Sequence, residues 1–154
     1  MPRYRELLRD LVREPSTLGN ERAAQLAVSR ALRRQGLEPT LYDLDLGLLG
    51  RHATFAPTGL SYTARPNLSA TCPGTGNCRS LVLNGHIDVV SAEPESWWTH
   101  APFSGTVDRG RLYRRGAYDM KGGLVAAAVV YLASPAADFI TGTVLPVDGG
   151  LTMR

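Results

Sequence analysis

Two short segments of the chain carry side chains whose types and spacing suit metal-dependent hydrolysis. The first is Asn84-Gly85-His86-Ile87-Asp88-Val89-Val90, and Gly116-Ala117-Tyr118-Asp119-Met120-Lys121-Gly122-Gly123 follows about thirty residues later. An imidazole can bind a metal ion through one nitrogen while a nearby carboxylate fixes its orientation. A carboxylate can also bridge two cations through its two oxygens, as two-metal hydrolases require. The two segments are therefore candidates for one half of a two-metal site.

The predicted secondary structure places these side chains where a ligand can bind. His86 and Asp88 lie two residues apart at the C-terminal end of a predicted strand, residues 81–84, so both can share one face. Ligands of open α/β sheets bind at that end of the strands. Alone, the H-x-D pattern is a weak signal, because a single histidine at a strand end is more often structural. Together with Asp119 and the glycines that follow it, the H-x-D pattern is a strong signal for a metal-binding site.

Helices and strands alternate along the chain, which indicates an α/β fold. Apolar residues at helical spacing predict helices over residues 4–13 and 20–34, with Asn20 as the N-cap of the second and Gly36 ending it. The other predicted elements are a loop over 43–59, a hairpin over 106–113, a helix from Gly122 to Tyr131, and strands over 39–42, 67–71, 81–84 and 143–147. We expect an incomplete α/β/α sandwich with a mostly parallel sheet, in which 81–84 is a buried strand.

Composition narrows the class of protein. The chain has 154 residues, 44% of them hydrophobic and 20% charged, which is typical of one soluble globular domain. Its net charge is only +3, and acidic residues interrupt the basic ones, so no nucleic acid is expected as a partner.

The longest apolar run, 124–133, is too short for a membrane span, and the charged N-terminus lacks a signal-peptide core; a cytoplasmic protein is expected. Cys72 and Cys78 are interpreted as incidental thiols in a loop rather than as a disulfide or a zinc knuckle.

An aromatic-rich loop over residues 94–104 allows two interpretations. Trp97, Trp98 and Phe103 could line the mouth of a substrate site, or they could cap the sheet as part of the core. Packing is favoured for at least one of the two tryptophans, because large aromatic side chains contribute most when buried.

The order of several motifs resembles that of a known family of hydrolases. The motifs are Pro15-Ser16 with Gly19 and Glu21, Arg65-Pro66-Asn67, residues 84–90, Trp98 with Pro102-Phe103-Ser104-Gly105, and Asp119 to Gly123. Over about residues 4–127 the chain resembles the zinc metallopeptidases and deacylases that include acetylornithine deacetylase, succinyl-diaminopimelate desuccinylase, aminoacylase and carboxypeptidase G. Their fold would make this chain a partial metallopeptidase catalytic domain.

The resemblance implies a role for each candidate residue. His86 matches a metal ligand, Asp119 matches the carboxylate that bridges two metal ions, and Asp88 matches the catalytic aspartate that supports the site. Zinc or cobalt would be the cofactor, and a small N-acyl amino acid or peptide would be the substrate. Ser91 and Arg114 depart from the family's pattern, which has Pro and Gly at those positions.

A larger departure predicts that the 154-residue polypeptide is inactive. The family's general base and a further metal ligand form an adjacent Glu-Glu pair on the next strand, followed by another acidic ligand and a distant histidine. No Glu follows Glu95 here and no His follows His100. A catalytic zinc ion normally keeps three protein ligands, whereas His86 and Asp119 supply two. Zinc or cobalt binding should therefore be weak or partial, unless a second chain completes the site.

The end of the chain resembles a different family. Residues 126–152, with Phe139-Ile140-Thr141-Gly142 and Val147-Asp148-Gly149-Gly150, are similar to the C-terminal end of short-chain dehydrogenases/reductases. The predicted organisation is a truncated zinc-hydrolase domain over 1–127 and a dehydrogenase-like tail over 128–154 packed on it, with the strand 143–147 paired beside 81–84. No nicotinamide cofactor is expected, because that family's glycine-rich turn and Tyr-x-x-x-Lys pair are missing. The alternative is a dehydrogenase remnant or a module that self-associates through the tail or an exposed sheet edge.

Overall fold

Two amphipathic helices begin the chain and provide most of the core. In the computed structural model, which describes residues 2–57, 59–71, 82–126 and 145–146, helix α1 spans Pro2–Arg13 and α2 spans Arg22–Arg33. Both predicted helices are confirmed, because their apolar residues recur on one face of each helix. The buried cluster that joins them to later parts of the chain consists of Leu7, Leu11, Ala24, Ala27, Val28, Ala31, Leu32, Ile87 and Val125.

The sequence predicts the C-terminal end of α2 correctly but not its N-cap. Asn20 is not the N-cap: its amide donates to Thr17 Oγ1 at 3.2 Å, and Glu21 occupies the capping position without a side-chain cap bond. The carboxylate of Glu21 is instead engaged by other donors, described below. The predicted stop at Gly36 is confirmed, since Gly36 has a φ of +80° and the next amide, that of Leu37, donates to Leu32 O at 3.1 Å.

Two short antiparallel pairs follow the helices. Strand β1 (Thr40–Tyr42) pairs with β2 (Asn67–Ser69), and the segment between them, predicted as loop, contains a single helical turn, α3 (Leu46–Leu49). Strands β4 (Thr106–Asp108) and β5 (Arg111–Tyr113) form the predicted hairpin. Its two connecting residues have positive φ angles of 47° and 77°, which is the geometry that tight hairpin turns require.

The strand that leads into the first motif is short and only partly covered. Strand β3 (Leu83–Asn84) pairs in parallel with β6 (Leu145–Pro146), with Leu83 opposite Leu145. The expectation of a buried strand is wrong for the described residues 82–84, since Val82 is 63% exposed, Asn84 is also exposed and Leu83 is only partly buried. Two of the three ladders formed by the described residues are antiparallel, so the mostly parallel sheet is not confirmed, whereas the α/β character is.

Short helical elements carry the second motif. A 3-10 helix (Glu95–Trp97) precedes the hairpin, and a π-helical turn (Ala117–Gly122) runs directly into α4 (Gly123–Val125). The predicted helix after Gly122 is thus present at its start. Its continuation beyond residue 126, most of the tail over 128–154, and both cysteines lie outside the described residues. No helix of the described part is long and apolar enough to cross a membrane.

Candidate metal centre

The extended backbone after β3 separates core residues from the candidate site. Ile87 and Val89 are 5% and 4% exposed and point into the protein, so His86 and Asp88 share the opposite, open face. The Nδ1 atom of His86 lies 3.2 Å from Asp88 Oδ1 and 3.1 Å from the carbonyl oxygen of the same residue. Asp88 is therefore placed to fix the ring of His86 through Nδ1.

The π-helical turn brings Asp119 to the other side of the same imidazole. The Nε2 atom of His86 lies 3.2 Å from Asp119 Oδ1. Asp119 has non-helical backbone angles within the turn, φ −115° and ψ 102°, and its peptide bond to Met120 is cis. The side chains of His86 and Asp119 are 45% and 69% exposed, so the space between them is open to solvent.

This arrangement matches two ligands of a metal site and the group that orients one of them. Imidazole nitrogen and carboxylate oxygen are ligands that zinc accepts, and a metal-bound histidine commonly offers its other ring nitrogen to a carboxylate. Among the described residues, however, no group of three or more His, Cys, Asp or Glu side chains could hold a metal ion. The three predicted residues are brought together, and their roles stay a prediction.

Ser16 fastens the segment that carries His86 and Asp88, which the sequence alone did not reveal. It is fully buried, its hydroxyl donates to Ile87 O at 2.6 Å, and its own carbonyl accepts from Val89 N–H at 2.9 Å. Residue Thr17 forms an isolated parallel bridge with Val89. The local sequence gives no signal for this role of Ser16, because Ile87 lies 71 residues further along the chain.

Lys121 fastens the second segment to the same end of α1. The side chain is fully buried, and its ammonium donates to Leu11 O at 2.9 Å and to Glu14 O at 2.7 Å. Cations are favourable near a helix C-terminus, where the last carbonyls lack helical partners. Burial, aided by the charge of Arg114 and opposed by Glu14, lowers the pKa of Lys121 to about 8. The only lysine of the chain thus serves as an internal anchor.

Glu21 and Arg65 link two of the predicted motifs behind the site. The guanidinium donates from Nη2 to Glu21 Oε1 at 2.7 Å and from Nε to Oε2 at 3.0 Å, and Gly19 N–H donates to Oε1 at 2.8 Å. Burial alone would raise the pKa of Glu21, but the bonds from Arg65 and Gly19 outweigh it and hold that pKa below its usual value. Two charge-assisted bonds in one plane fix the geometry of the pair.

The two tryptophans of the aromatic loop differ in their exposure to solvent. Trp98 is partly buried, its indole N–H donates to Ala92 O at 2.8 Å, and Arg115 lies 4.7 Å from its ring centroid. The prediction that at least one tryptophan packs is confirmed. Trp97 is 85% exposed and points away from that core, and Tyr118, next to Asp119, is 92% exposed.

Comparison with known proteins finds similarity to one family of peptidases. Residues 82–144 match the family described as Peptidase family M20/M25/M40. The chain is 40% identical over 136 residues to a succinyl-diaminopimelate desuccinylase of Methylobacterium radiotolerans, covering 86% of this chain and 31% of that protein. Its structure is similar to an M20 family metallo-carboxypeptidase of Sulfolobus solfataricus, with a TM-score of 0.61 at 22% identity, over 82% of this chain and 25% of the other. The chain spans about a third of the length of the curated relatives.

The comparisons also bear on the tail. The match to the peptidase family continues through residue 144, beyond the predicted boundary at 127. A succinyl-diaminopimelate desuccinylase of a Ruegeria species is 32% identical over 148 residues, which is 96% of this chain and 32% of that protein. The similarity to hydrolases therefore runs past the point where the tail was predicted to begin, and the resemblance to short-chain dehydrogenases is left without support.

Proposed function

We propose that the chain is part of the catalytic domain of a member of Peptidase family M20/M25/M40, and that it carries half of a metal-dependent amide-hydrolase site. The observation that carries the proposal is the imidazole of His86 between two carboxylates, at 3.2 Å from Asp119 Oδ1 and 3.2 Å from Asp88 Oδ1. Three side chains from two distant segments meet there. In this proposal His86 and Asp119 are metal ligands, and Asp88 is the group that orients His86. The named relatives hydrolyse amide bonds, which supports that reaction class for this site.

Each residue has a distinct part in the proposed site. His86 would hold zinc or cobalt through Nε2 and Asp119 would hold it through a carboxylate oxygen, while Asp88 would orient the ring through Nδ1. When bound, the ion would supply a water of lowered pKa and a Lewis acid for the amide carbonyl. In this proposal His86, Asp88 and Asp119 bind and orient, and none of the three accepts the water's proton.

We further propose that the 154-residue polypeptide by itself does not hydrolyse amides at a useful rate. Two ligands hold an ion less firmly than the three of an ordinary catalytic zinc site. The sequence contains no glutamate after Glu95 that could act as the carboxylate base. General-base assistance contributes about 10²–10⁴-fold in rate, so its loss compounds the weak binding.

The dehydrogenase-like tail over 128–154 is retained as a separate hypothesis. The similarity of residues 139–150 to the end of short-chain dehydrogenases motivates it, and the parallel pairing of Leu83 with Leu145 is compatible with a strand packed on the hydrolase domain. Replacing residues 128–154 with the matching segment of a desuccinylase tests it. Tighter metal binding in the hybrid protein would support a foreign tail, and unchanged metal binding would contradict it.

One experiment tests the main proposal. The purified polypeptide, freed of metal, is titrated with zinc or cobalt, and hydrolysis of N-succinyl and N-acetyl amino acids is then measured with the metal present. We expect at most one weakly held ion per chain, lost in His86→Ala, and no hydrolysis above the metal blank. Tight, His86-dependent binding of two zinc ions, or rapid turnover without another subunit, would overturn it. Binding that is unchanged in His86→Ala would contradict the site itself.

A further inference from the structure

One short segment of the chain contacts both halves of the candidate metal centre. This segment, residues 11–17, comprises the last turn of α1 and the residues that leave it. Ser16 bonds to the backbone on both sides of Asp88, through Ile87 O at 2.6 Å and Val89 N–H at 2.9 Å. The ammonium of Lys121 donates one hydrogen bond to the carbonyl of Leu11 and one to that of Glu14. These residues precede Lys121 by 110 and 107 positions in the sequence.

These contacts lie close to the candidate ligands along the backbone. Ser16 holds the residue directly after His86, and Lys121 is two residues after Asp119. The turn itself is closed by Lys121 N–H donating to Gly116 O at 3.0 Å, so a shift of the Lys121 side chain would move the whole turn. The separation of His86 from Asp119 thus depends on where both segments are attached to residues 11–17.

The chemistry of the two anchors suits a fixed attachment. Every named acceptor of Lys121 is a backbone carbonyl at the end of a helix, which is a rigid partner that cannot change rotamer. Ser16 is likewise fully buried and bonds to backbone alone. Fixed supports of this kind determine how precisely ligands are presented to a metal ion.

We propose that Ser16 and Lys121 are positioning residues of the metal centre, which set the distance between His86 Nε2 and Asp119 Oδ1 by fastening both segments to residues 11–17. This inference rests on the proposed function, because it gives the two anchors a purpose in metal binding. A purely structural role would make them contribute to folding without a specific effect on that distance.

The test compares Lys121→Met and Ser16→Ala with Leu32→Ala, using the full chain. Leu32 is 5% exposed in the buried cluster that joins α1 and α2, so its truncation destabilises the fold, and it takes no part in the hydrogen bonds of Ser16 or Lys121. The first readout needs no metal: the nuclear Overhauser effect between the ring protons of His86 and the methylene of Asp119. The second readout is a titration with Co²⁺, which measures the affinity and the visible ligand-field spectrum.

We expect the Overhauser effect to vanish in Lys121→Met and Ser16→Ala, and the Co²⁺ affinity to fall by about 10-fold or more, as for other groups that support metal ligands. Leu32→Ala should keep the effect, the affinity and the spectrum of the parent chain despite its lower stability. If both anchor variants keep them as well, or if Leu32→Ala loses them equally, the inference is wrong.

Two further outcomes separate the inference from the proposed function. If the parent chain binds no Co²⁺, the proposed function fails, and the Overhauser effect still decides whether the anchors set the distance. If the parent chain shows no such effect, the inference fails whatever the metal does. Should Lys121→Met not fold, Ser16→Ala decides the outcome, since it removes only one hydroxyl.

Discussion

The Nε2 atom of His86 lies 3.2 Å from the Oδ1 atom of Asp119, although 33 residues separate the two along the chain. On the opposite side of the ring, Nδ1 faces Asp88 at 3.2 Å. Because the two nitrogens of an imidazole point in different directions, the two carboxylates lie on opposite sides of the ring. In the proposed site, Asp119 would share the ligand side with Nε2, and Asp88 would act on a metal ion through the histidine.

Asp88→Asn should therefore weaken metal binding without unfolding the protein. The side chain is 45% exposed, so the fold loses little, but the amide is a poorer partner for the ring than a carboxylate. We expect zinc or cobalt affinity to fall by about 10–100-fold, which is usual when the group behind a metal-bound histidine is changed. Isothermal titration of the metal-free protein measures it, with circular dichroism to verify the fold.

Asp108→Asn provides the matched control for that substitution. Asp108 is an exposed aspartate at the end of β4, in the hairpin and outside the candidate site. Asp108→Asn changes the net charge by the same amount as Asp88→Asn, so the control variant isolates any general electrostatic effect on cation binding. Equal losses of affinity in the two variants would show that charge, and not the orientation of His86, is responsible.

Local patterns in the sequence predicted what depends on neighbouring residues. The two helices follow from apolar spacing, and the hairpin follows from the predicted turn at Asp108 to Gly110 between two short strands. His86, Asp88 and Asp119 were predicted together because their motifs are short and lie in order. The helices and the hairpin are determined by residues within one turn or one strand, whereas the joint prediction of His86 and Asp119 depended on the order of their motifs.

The supports of the site could not be predicted in the same way. The contacts from Ser16 to Ile87 and from Lys121 to Leu11 join residues 71 and 110 positions apart, and no local pattern specifies such partners. The N-cap of α2 was wrongly assigned to Asn20 for a related reason. Glu21 is held by Arg65, 44 residues away, and this tertiary contact overrides the capping preference of asparagine.

Glu21→Gln should lower stability by an amount that depends on pH. The pKa of Glu21 is held below its usual value in the folded protein, so its ionised form stabilises the fold above the unfolded pKa of 4.5. That contribution is lost as the pH falls through the lower, folded pKa. We expect about 2 kcal/mol less unfolding free energy at pH 7, as is typical for bonds to charged groups.

Urea unfolding between pH 3 and pH 7 measures the pH dependence. The difference between the parent chain and Glu21→Gln should shrink steadily as the solution becomes more acidic, because the parent loses its charge while the variant has none. A difference that stays constant over this range would mean that the pair with Arg65 does not depend on ionisation of Glu21.

Gly116→Ala should destabilise the protein more than Gly110→Ala. The two glycines have nearly the same backbone conformation, with φ angles of 78° and 77°, so the intrinsic cost of a side chain is the same for both. A Cβ at Gly116 would overlap Cγ1 of Val89, whereas a Cβ at Gly110 meets nothing within 4 Å. The difference between the variants therefore reports the packing of the turn against the segment that carries Val89.

We expect about 1 kcal/mol of destabilisation for Gly110→Ala, and about 1–3 kcal/mol more for Gly116→Ala, as for other overpacked sites. Thermal unfolding measured by circular dichroism gives both values under the same conditions. Similar losses would contradict the close approach of Gly116 to Val89, on which the placement of Asp119 depends.

Arg114→Met should stabilise the protein, because it removes a buried charge whose polar atoms have no hydrogen-bond acceptor among the described residues. Arg114 is 8% exposed, and within the described part of the chain its three guanidinium nitrogens have no hydrogen-bond acceptor. Burial, and then the nearby charge of Arg13, lower its pKa to about 10, with Glu14 opposing them. The ring of Phe103, with its centroid 5.5 Å from the guanidinium, compensates only in part, since such contacts contribute about 0.5–2 kcal/mol.

Methionine keeps the length and apolar surface of the arginine stem, so the substitution mainly removes the unsatisfied guanidinium. Buried polar groups without partners cost about 1–3 kcal/mol in proteins, and we expect a gain of about 1 kcal/mol in unfolding free energy after the contact with Phe103 is lost. Arg111→Met, at an exposed position of β5, is the control for removing a positive charge from the hairpin. Urea unfolding at pH 7 compares the two. If Arg114→Met is the less stable of the pair, the guanidinium has an anionic partner that stabilises it, and the departure at this position from the glycine of the resembled family serves the fold.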